Sequence, residues 1–359
     1  MRRYSHLLSV VGAAAIALGA CGDSATTTSS VQTTTTALPT TTESPTSTVT
    51  TEAATLLIYS GRSEELVSPL IEIFEEQSGI DVGVRYGSST EMAATIAAEG
   101  AASPADVFYA QDPSTIGSVR ELLAPLGDSV LDLAPERFRD PDGYWTGITV
   151  RSRVLAYNPD LVSEEELPAS FHELTDPAWA GRIGLAPTNG SFLTFVAAMM
   201  VLEGEEATLE WLRGMAANDI VEFDGNSPIA SAVDAGDISA GLINHYYLLR
   251  LAAEQGGTTA LNHYWPNPDA GSYVMPSGAA VLATAPNPQG AGDFIEFLLS
   301  AESQAYFAES IFEYPVVETA PAPFGAPPID TLVSPQIPLT DLAETFDRAT
   351  DLITESGLL

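Results

Sequence analysis

The stretch Ala240-Gly241-Leu242-Ile243-Asn244-His245-Tyr246-Tyr247 organises the fold, because it changes abruptly from apolar residues to polar and aromatic ones. Residues 240–243 predict a buried strand, and the residues after them begin a helix that we expect to end near Glu254. In an open α/β sheet, ligands bind at the carboxyl ends of the strands. Residues 244–247 are therefore predicted to face a ligand cleft. The alternative is that the two tyrosines pack in a core with their hydroxyls at its rim.

Alternating strand and helix patterns precede this stretch. Residues 55–59, 82–86 and 105–109 predict strands, and each is followed by a helical pattern, the third of which spans about 114–123. Three such units in a row predict a parallel sheet with helices on both faces. Residues 145–157 predict a longer strand that can cross from one lobe of the protein to another.

The chain begins with the features of a secreted lipoprotein. Arg2 and Arg3 precede an apolar run over residues 7–18, which is too short for a stable membrane span and predicts a signal peptide over residues 1–20. Leu18-Gly19-Ala20-Cys21 looks like a bacterial lipobox, and Cys21 is the only cysteine, so we expect it to be lipidated; a lone buried thiol is the alternative. Residues 21–53, which are rich in Thr and Ser, predict a disordered tether rather than a β-rich stalk.

The composition is strongly acidic. The chain has 48 Asp and Glu residues against 13 basic residues, all of them arginine, and a formal net charge of −35. Such a charge disfavours nucleic acid and anionic lipid and concentrates cations near the surface. The alternative is a diffuse acidic surface that serves only solubility.

Six short motifs resemble, in sequence and in order, the ferric-iron-binding solute receptors of bacterial ABC transporters. They are Tyr59-Ser60-Gly61-Arg62, Ser103-Pro104-Ala105-Asp106-Val107-Phe108-Tyr109, Arg151-Ser152-Arg153-Val154, Pro187-Thr188-Asn189-Gly190-Ser191-Phe192, Asn244-His245-Tyr246-Tyr247 and Glu313-Tyr314-Pro315. The resemblance implies an α/β fold of the periplasmic-binding-protein (Venus-flytrap) type, with two lobes of mixed or parallel sheet flanked by helices and joined by crossing strands. Residues 54–147 and about 274–316 would form the first lobe, and 148–273 and about 317–359 the second.

The resemblance also implies a set of ligands. The paired tyrosines of the family match Tyr246 and Tyr247, which would bind Fe(III) as phenolates, in keeping with the preference of a hard cation for anionic oxygen. Ser63 and Gln111 stand where some members offer a histidine and a glutamate, and neither is a strong ferric ligand. Asp112 is a third candidate ligand, with pairing to an arginine or capping of the next helix as alternatives.

We expect a synergistic anion, carbonate or phosphate, to complete the coordination. The matching residues at the mouth of a predicted helix and around it are Asn189, Gly190, Ser191, Asn226, Asn244 and Arg151. Plain N-capping accounts equally well for Asn189 and Ser191, and Arg151 has a surface ion pair as its alternative. The residues expected to line the cleft are Tyr59, Ser63, Tyr109, Gln111 and His245.

Taken together, these features predict a monomeric, non-enzymatic receptor on the extracytoplasmic face of the membrane, lipid-anchored and serving an ABC permease and ATPase. One alternative keeps the fold but binds a thiamine-like, polyamine or organophosphonate solute. An extracellular metal-dependent hydrolase built on Asp112 and His245 is disfavoured, because the chain has no His-x-x-x-His pair, no Gly-x-Ser-x-Gly elbow and no lysine for a phosphate loop. A structural or adhesive lipoprotein would have no cleft.

Overall fold

The computed structural model describes residues 55–317 and 319–359. The predicted signal peptide, Cys21 and the tether lie outside the described residues. In the described part, no helix combines the length and the apolar character needed to cross a membrane.

The order of elements follows the predicted alternation of strands and helices. The strands are β1 (Thr55–Ser60), β2 (Asp81–Tyr86), β3 (Val107–Ala110), β4 (Leu123–Ala124), β5 (Thr146–Tyr157), β6 (Ile183–Leu185), β7 (Val221–Glu222), β8 (Ala240–Asn244), β9 (Leu261–His263), β10 (Val274–Leu282) and β11 (Tyr314–Pro315). The helices are α1 (Glu64–Ser78), α2 (Ser89–Glu99), α3 (Pro113–Gly117), α4 (Asp128–Leu131), α5 (Gly190–Glu203), α6 (Glu205–Ala217), α7 (Asn226–Ala235), α8 (His245–Gln255), α9 (Pro288–Leu298), α10 (Ala301–Tyr306) and α11 (Leu339–Ser356).

The strands form two groups that share β5. In the first group the order is β2-β1-β3-β10-β5, with β1 parallel to both β2 and β3 and with β10 antiparallel to its neighbours. In the second the order is β5-β8-β6-β7, with β6 parallel to β7 and β8. The parallel sheet predicted for the first three units is confirmed, because β1 pairs in parallel with both β2 and β3.

The two ends of β5 enter different hydrophobic cores. Ile148 and Val150 pack in a core with β1, α1 and α9, whereas Leu155 and Tyr157 pack in a second core with α5 and α6. All twelve residues of β5 are buried. This strand was predicted over residues 145–157, and its course from one core to the other follows the predicted crossing.

The C-terminal part of the chain contacts both cores. Residues 322–332 pack partly against the first core, and α11 places Leu352 and Ile353 in the second. Helix α11 also packs against α3, the short helix that follows β3. The helix predicted over residues 114–123 is shorter than expected: α3 ends at Gly117, and Leu123 begins the short strand β4, which pairs with β10.

Candidate metal and anion site

The two adjacent tyrosines lie on the first turn of α8, directly after β8. Their rings stack with centroids 4.2 Å apart and an interplanar angle of 28°. Tyr246 is only 4% exposed and Tyr247 is half-buried. Burial, together with the neighbouring Tyr247 and Glu313, raises the pKa of Tyr246 well above its usual value. The two phenols thus lie on one helical turn. Because the pKa of Tyr246 is raised, a positive charge nearby is needed to deprotonate it.

A buried ion pair lies close to Tyr246. Arg62 Nη2 donates to Glu313 Oε1 at 2.8 Å, and neither side chain is exposed. Burial opposes the charge of Glu313, but Arg62 and then Arg151 outweigh it and lower the pKa of this carboxyl, whose other oxygen accepts from the Thr149 hydroxyl. Arg62 acts against the rise in the Tyr246 pKa, because it favours the phenolate. In the described part, Arg62 Nε and Nη1 have no hydrogen-bond partner.

Tyr109 is buried next to this ion pair. It is buried in the first core, and Arg62 Cζ lies 6.0 Å from the centre of its ring. Burial raises the pKa of Tyr109 to about 12. Tyr59 points elsewhere: its hydroxyl donates to the Glu99 carboxylate at 3.0 Å and its ring packs with α2. Both tyrosines were expected to line the cleft or to donate a hydrogen bond there; both are buried, and neither is among the residues that line the cavity described below.

His245 is held against the crossing strand. Its ring is fully buried and stacks on Tyr314 with centroids 4.6 Å apart, and Ser152 N–H donates to Nδ1 at 3.2 Å. Burial lowers the pKa of His245 to about 4, so the ring is neutral. With Nδ1 accepting that bond, the proton sits on Nε2 and neither nitrogen offers a lone pair to a metal. The side chain therefore supports the turn that carries the tyrosines.

The first turn of α5 forms a polar cluster with α7. Asn189 caps α5 by accepting from Ser191 N–H at 3.0 Å, and the Ser191 hydroxyl donates to the same oxygen at 2.6 Å. Asn226 Nδ2 donates to Ser191 Oγ at 3.0 Å. The Oδ1 atoms of Asn226 and Asn244 are buried and have no partner among the described residues. Three of the predicted anion-binding residues, Asn189, Ser191 and Asn226, are thus linked by hydrogen bonds, and a fourth, Asn244, ends strand β8.

Arg153, which was not predicted as a site residue, completes this cluster. Its Nη1 donates to Ser191 Oγ at 3.0 Å and its Nη2 to the Leu242 carbonyl at 3.2 Å. Burial lowers the pKa of Arg153 to about 9, and no carboxylate in the described part lies within ion-pair distance. The sequence did contain a signal for Arg153. Residues two apart on a strand lie on the same face, so Arg153 shares a face of β5 with Arg151, which was predicted as a site residue.

An open cavity of about 250 Å³ lies beside these groups. Its walls come from both groups of strands: the ends of β1 and β3 and the start of α2 on one side, and the start of α5 on the other. The predicted site residues that line it are Ser63, Gln111, Asp112, Arg151, Gly190 and Ser191. Arg151, 2% exposed, reaches across β10 to donate through Nη2 to the Gln111 carbonyl.

Asp112 lines the cavity but is already engaged. Its Oδ1 caps α3 by accepting from Thr115 N–H at 3.0 Å, and it also accepts from the Ser114 hydroxyl. Among the described residues, no group of three or more His, Cys, Asp or Glu side chains could hold a metal ion. The carboxylates and imidazoles of the described part therefore provide no ready ligand set for a hard cation.

Comparison with known proteins identifies the family. Residues 102–331 match the model for bacterial extracellular solute-binding proteins. The Fe(3+)-binding periplasmic protein of Serratia marcescens is 34% identical over 309 residues, covering 85% of this chain and 90% of the relative. The major ferric iron-binding protein of Neisseria meningitidis serogroup B is 34% identical over 319 residues, covering 86% and 95%. This chain belongs to the bacterial extracellular solute-binding protein family.

Solved structures agree with that assignment. Iron-bound HitA from Pseudomonas aeruginosa superposes with a TM-score of 0.79 at 36% identity, covering 85% of this chain and 99% of HitA. A Trichodesmium protein (IdiA, FutA) in complex with iron and citrate superposes with a TM-score of 0.73 at 28% identity, covering 85% and 99%. The predicted periplasmic-binding-protein fold, with two lobes joined by crossing strands, is confirmed.

Proposed function

We propose that this protein is the substrate-binding component of an ABC importer and captures Fe(III) between its lobes through the phenolates of Tyr246 and Tyr247. The observation that carries the proposal is the stacked pair of tyrosines on the first turn of α8. Two phenolates on one turn suit a hard trivalent metal. The names of the relatives support the same cargo.

The protein's own ligand set is incomplete for ferric ion, so we propose that a synergistic anion such as carbonate or phosphate supplies further oxygens. The cluster of Asn189, Ser191 and Asn226, with Arg153 behind it and Arg151 on the cavity wall, suits an oxyanion. Arg153 lacks a carboxylate within ion-pair distance in the described part, which supports an anionic ligand as its counter-charge.

The lipid anchor and the downstream partners belong to the same proposal. Cys21 in Leu18-Gly19-Ala20-Cys21 would be lipidated and would hold the receptor on the extracytoplasmic face, with residues 21–53 as a tether. The closed, loaded form would deliver iron to a permease driven by an ATPase. No catalytic step is part of this role.

The test is a visible titration of purified, iron-stripped protein with ferric nitrilotriacetate in the presence of phosphate or carbonate. We expect a phenolate-to-iron charge-transfer band that the double variant Tyr246→Phe, Tyr247→Phe loses. Tyr157→Phe, a buried tyrosine of the second core, is the control and should keep the band. A colourless wild-type protein would refute the proposal and favour an organic solute such as a thiamine-like, polyamine or organophosphonate ligand.

A further inference from the structure

One surface ion pair joins a helix of the first lobe to the helix that carries the tyrosines. Arg250 Nη2 donates to Glu65 Oε1 at 2.8 Å. Glu65 lies on α1, whose Leu66 packs in the first core. Arg250 lies on α8, whose Leu248 packs with β8 and α7 in the second lobe. The contact therefore connects the two lobes rather than two elements of one lobe.

The other ion pairs among the described residues each join elements of the same lobe. Arg250 itself also contacts Glu254 of its own helix, at 3.9 Å. The cations of the remaining pairs are Arg62, Arg85, Arg120 and Arg139 in the first lobe and His172, Arg182 and Arg348 in the second. A rigid movement of one lobe against the other leaves those pairs intact but separates Arg250 from Glu65.

The first lobe meets Arg250 and its neighbour at more than one point. The Tyr306 hydroxyl of α10 donates to the Leu66 carbonyl of α1 at 3.3 Å. Burial raises the pKa of Tyr306, and the nearby Arg250 opposes that rise. Leu249 approaches the backbone at Gly325, where an added Cβ atom would lie 3.3 Å from Leu249 Cδ2. Helix α8 thus docks on the first lobe through adjacent residues, and only 23% of the Arg250 side chain stays exposed.

This docking contact lies close to the mouth of the cleft. Tyr247 and Arg250 are three residues apart on α8, so they are neighbours on one face of that helix. Glu65 is two residues beyond Ser63, which lines the cavity. A movement of α8 that separates Arg250 from Glu65 therefore also carries the tyrosine-bearing turn away from the first lobe.

The charge of the chain makes an attractive contact at this place important for closure. The formal net charge is −35, and acidic residues outnumber arginines in both lobes, so bringing the lobes together costs electrostatic repulsion. One surface ion pair contributes little to the stability of a folded domain. When it exists in the closed form alone, however, the same small energy changes the ratio of closed to open protein by about two- to fivefold.

We propose that Arg250 and Glu65 form a latch across the mouth of the cleft, which stabilises the closed form and sets how long the loaded receptor stays closed. When the lobes open, Arg250 keeps Glu254 as a partner on its own helix, and Glu65, already 77% exposed, is solvated by water. Neither charge is stranded, so the latch opens at low cost. The inference rests on the proposed function only for the identity of the cargo, because the latch acts on closure.

The test follows the release of iron from the loaded protein to a competing chelator, through the loss of the phenolate-to-iron band. Glu65→Lys and Arg250→Glu each replace attraction by repulsion, and each should speed release by about two- to fivefold. The double variant restores an attractive pair and should return release toward the wild-type rate, which a damaged fold cannot do. Asp142→Lys is the matched control, because Asp142 pairs with Arg120 at 2.8 Å inside the first lobe, and it should leave release unchanged.

The same variants separate this inference from the proposed function. The latch is overturned if both single variants release iron at the wild-type rate, or if the double variant releases it as fast as they do. If wild type gives no iron band, the iron proposal fails, and small-angle scattering of the ligand-free protein decides on the latch instead. A larger radius of gyration in each single variant, reversed in the double variant, supports the latch, and an unchanged or unreversed radius overturns it.

Discussion

Arg62 and Glu313, 251 positions apart in the chain, form an ion pair of 2.8 Å that is fully buried beside Tyr246. The pair joins the end of β1 to the segment before β11, so the charge that favours a phenolate is fixed by the packing of the first lobe. Removing one partner of a buried pair leaves an uncompensated charge.

We therefore expect Glu313→Gln to destabilise the protein by about 3–5 kcal/mol. Urea unfolding followed by tryptophan fluorescence measures the loss. The control is Arg250→Ala, which removes an exposed pair with Glu65 at 2.8 Å and should cost less than about 1 kcal/mol. Equal losses in the two variants would contradict the structural role given to the buried pair.

Arg153 should behave differently, because it has no carboxylate partner within ion-pair distance in the described part. Arg153→Met removes a desolvated cation without stranding an anion, so the melting temperature of the ligand-free protein should change little. The rise in melting temperature on adding ferric ion with phosphate should shrink. A large drop in the stability of the free protein, with an undiminished ligand effect, would assign Arg153 to the core instead.

Iron binding should release protons. Burial holds the pKa of Tyr246 well above its usual value, so the free protein carries a protonated phenol at pH 7. Binding as a phenolate expels that proton, and affinity should therefore rise with pH and fall in acid. Calorimetry in buffers of different ionisation enthalpy should show at least one proton more for wild type than for Tyr246→Phe. Equal proton release would place Tyr246 outside the coordination shell.

Gly61 should be intolerant of any side chain. A Cβ atom there would lie 2.7 Å from Ser89 Cα, so Gly61→Ala forces the first turn of α2 away from β1. We expect a loss of about 1–3 kcal/mol in the free energy of unfolding. Gly292→Ala is the matched control: it has open space around it inside α9 and should be neutral or stabilising by up to about 1 kcal/mol. A neutral Gly61→Ala would show that this close approach is dispensable.

Local patterns were enough to predict the strand and helix order and the change from β8 to α8 at Asn244 and His245, because each depends on residues near one another in the chain. The crossing course of β5 followed from its length alone. The direction of Tyr59 was not accessible, since the Glu99 carboxylate that orients it lies on another element. Arg62 and Glu313 were present in the motifs, but only the packed first lobe brings them together beneath Tyr246. The early end of α3 reflects a tertiary effect, because Leu123 pairs with β10.

The central claim is that Tyr246 and Tyr247 hold ferric ion as phenolates, and resonance Raman spectroscopy of the iron-loaded protein tests it most directly. With excitation in the visible band, wild type should show tyrosinate modes that weaken in each single Tyr→Phe variant and vanish in the double variant. Iron bound at one equivalent without tyrosinate modes, or with modes that survive in the double variant, would contradict the account.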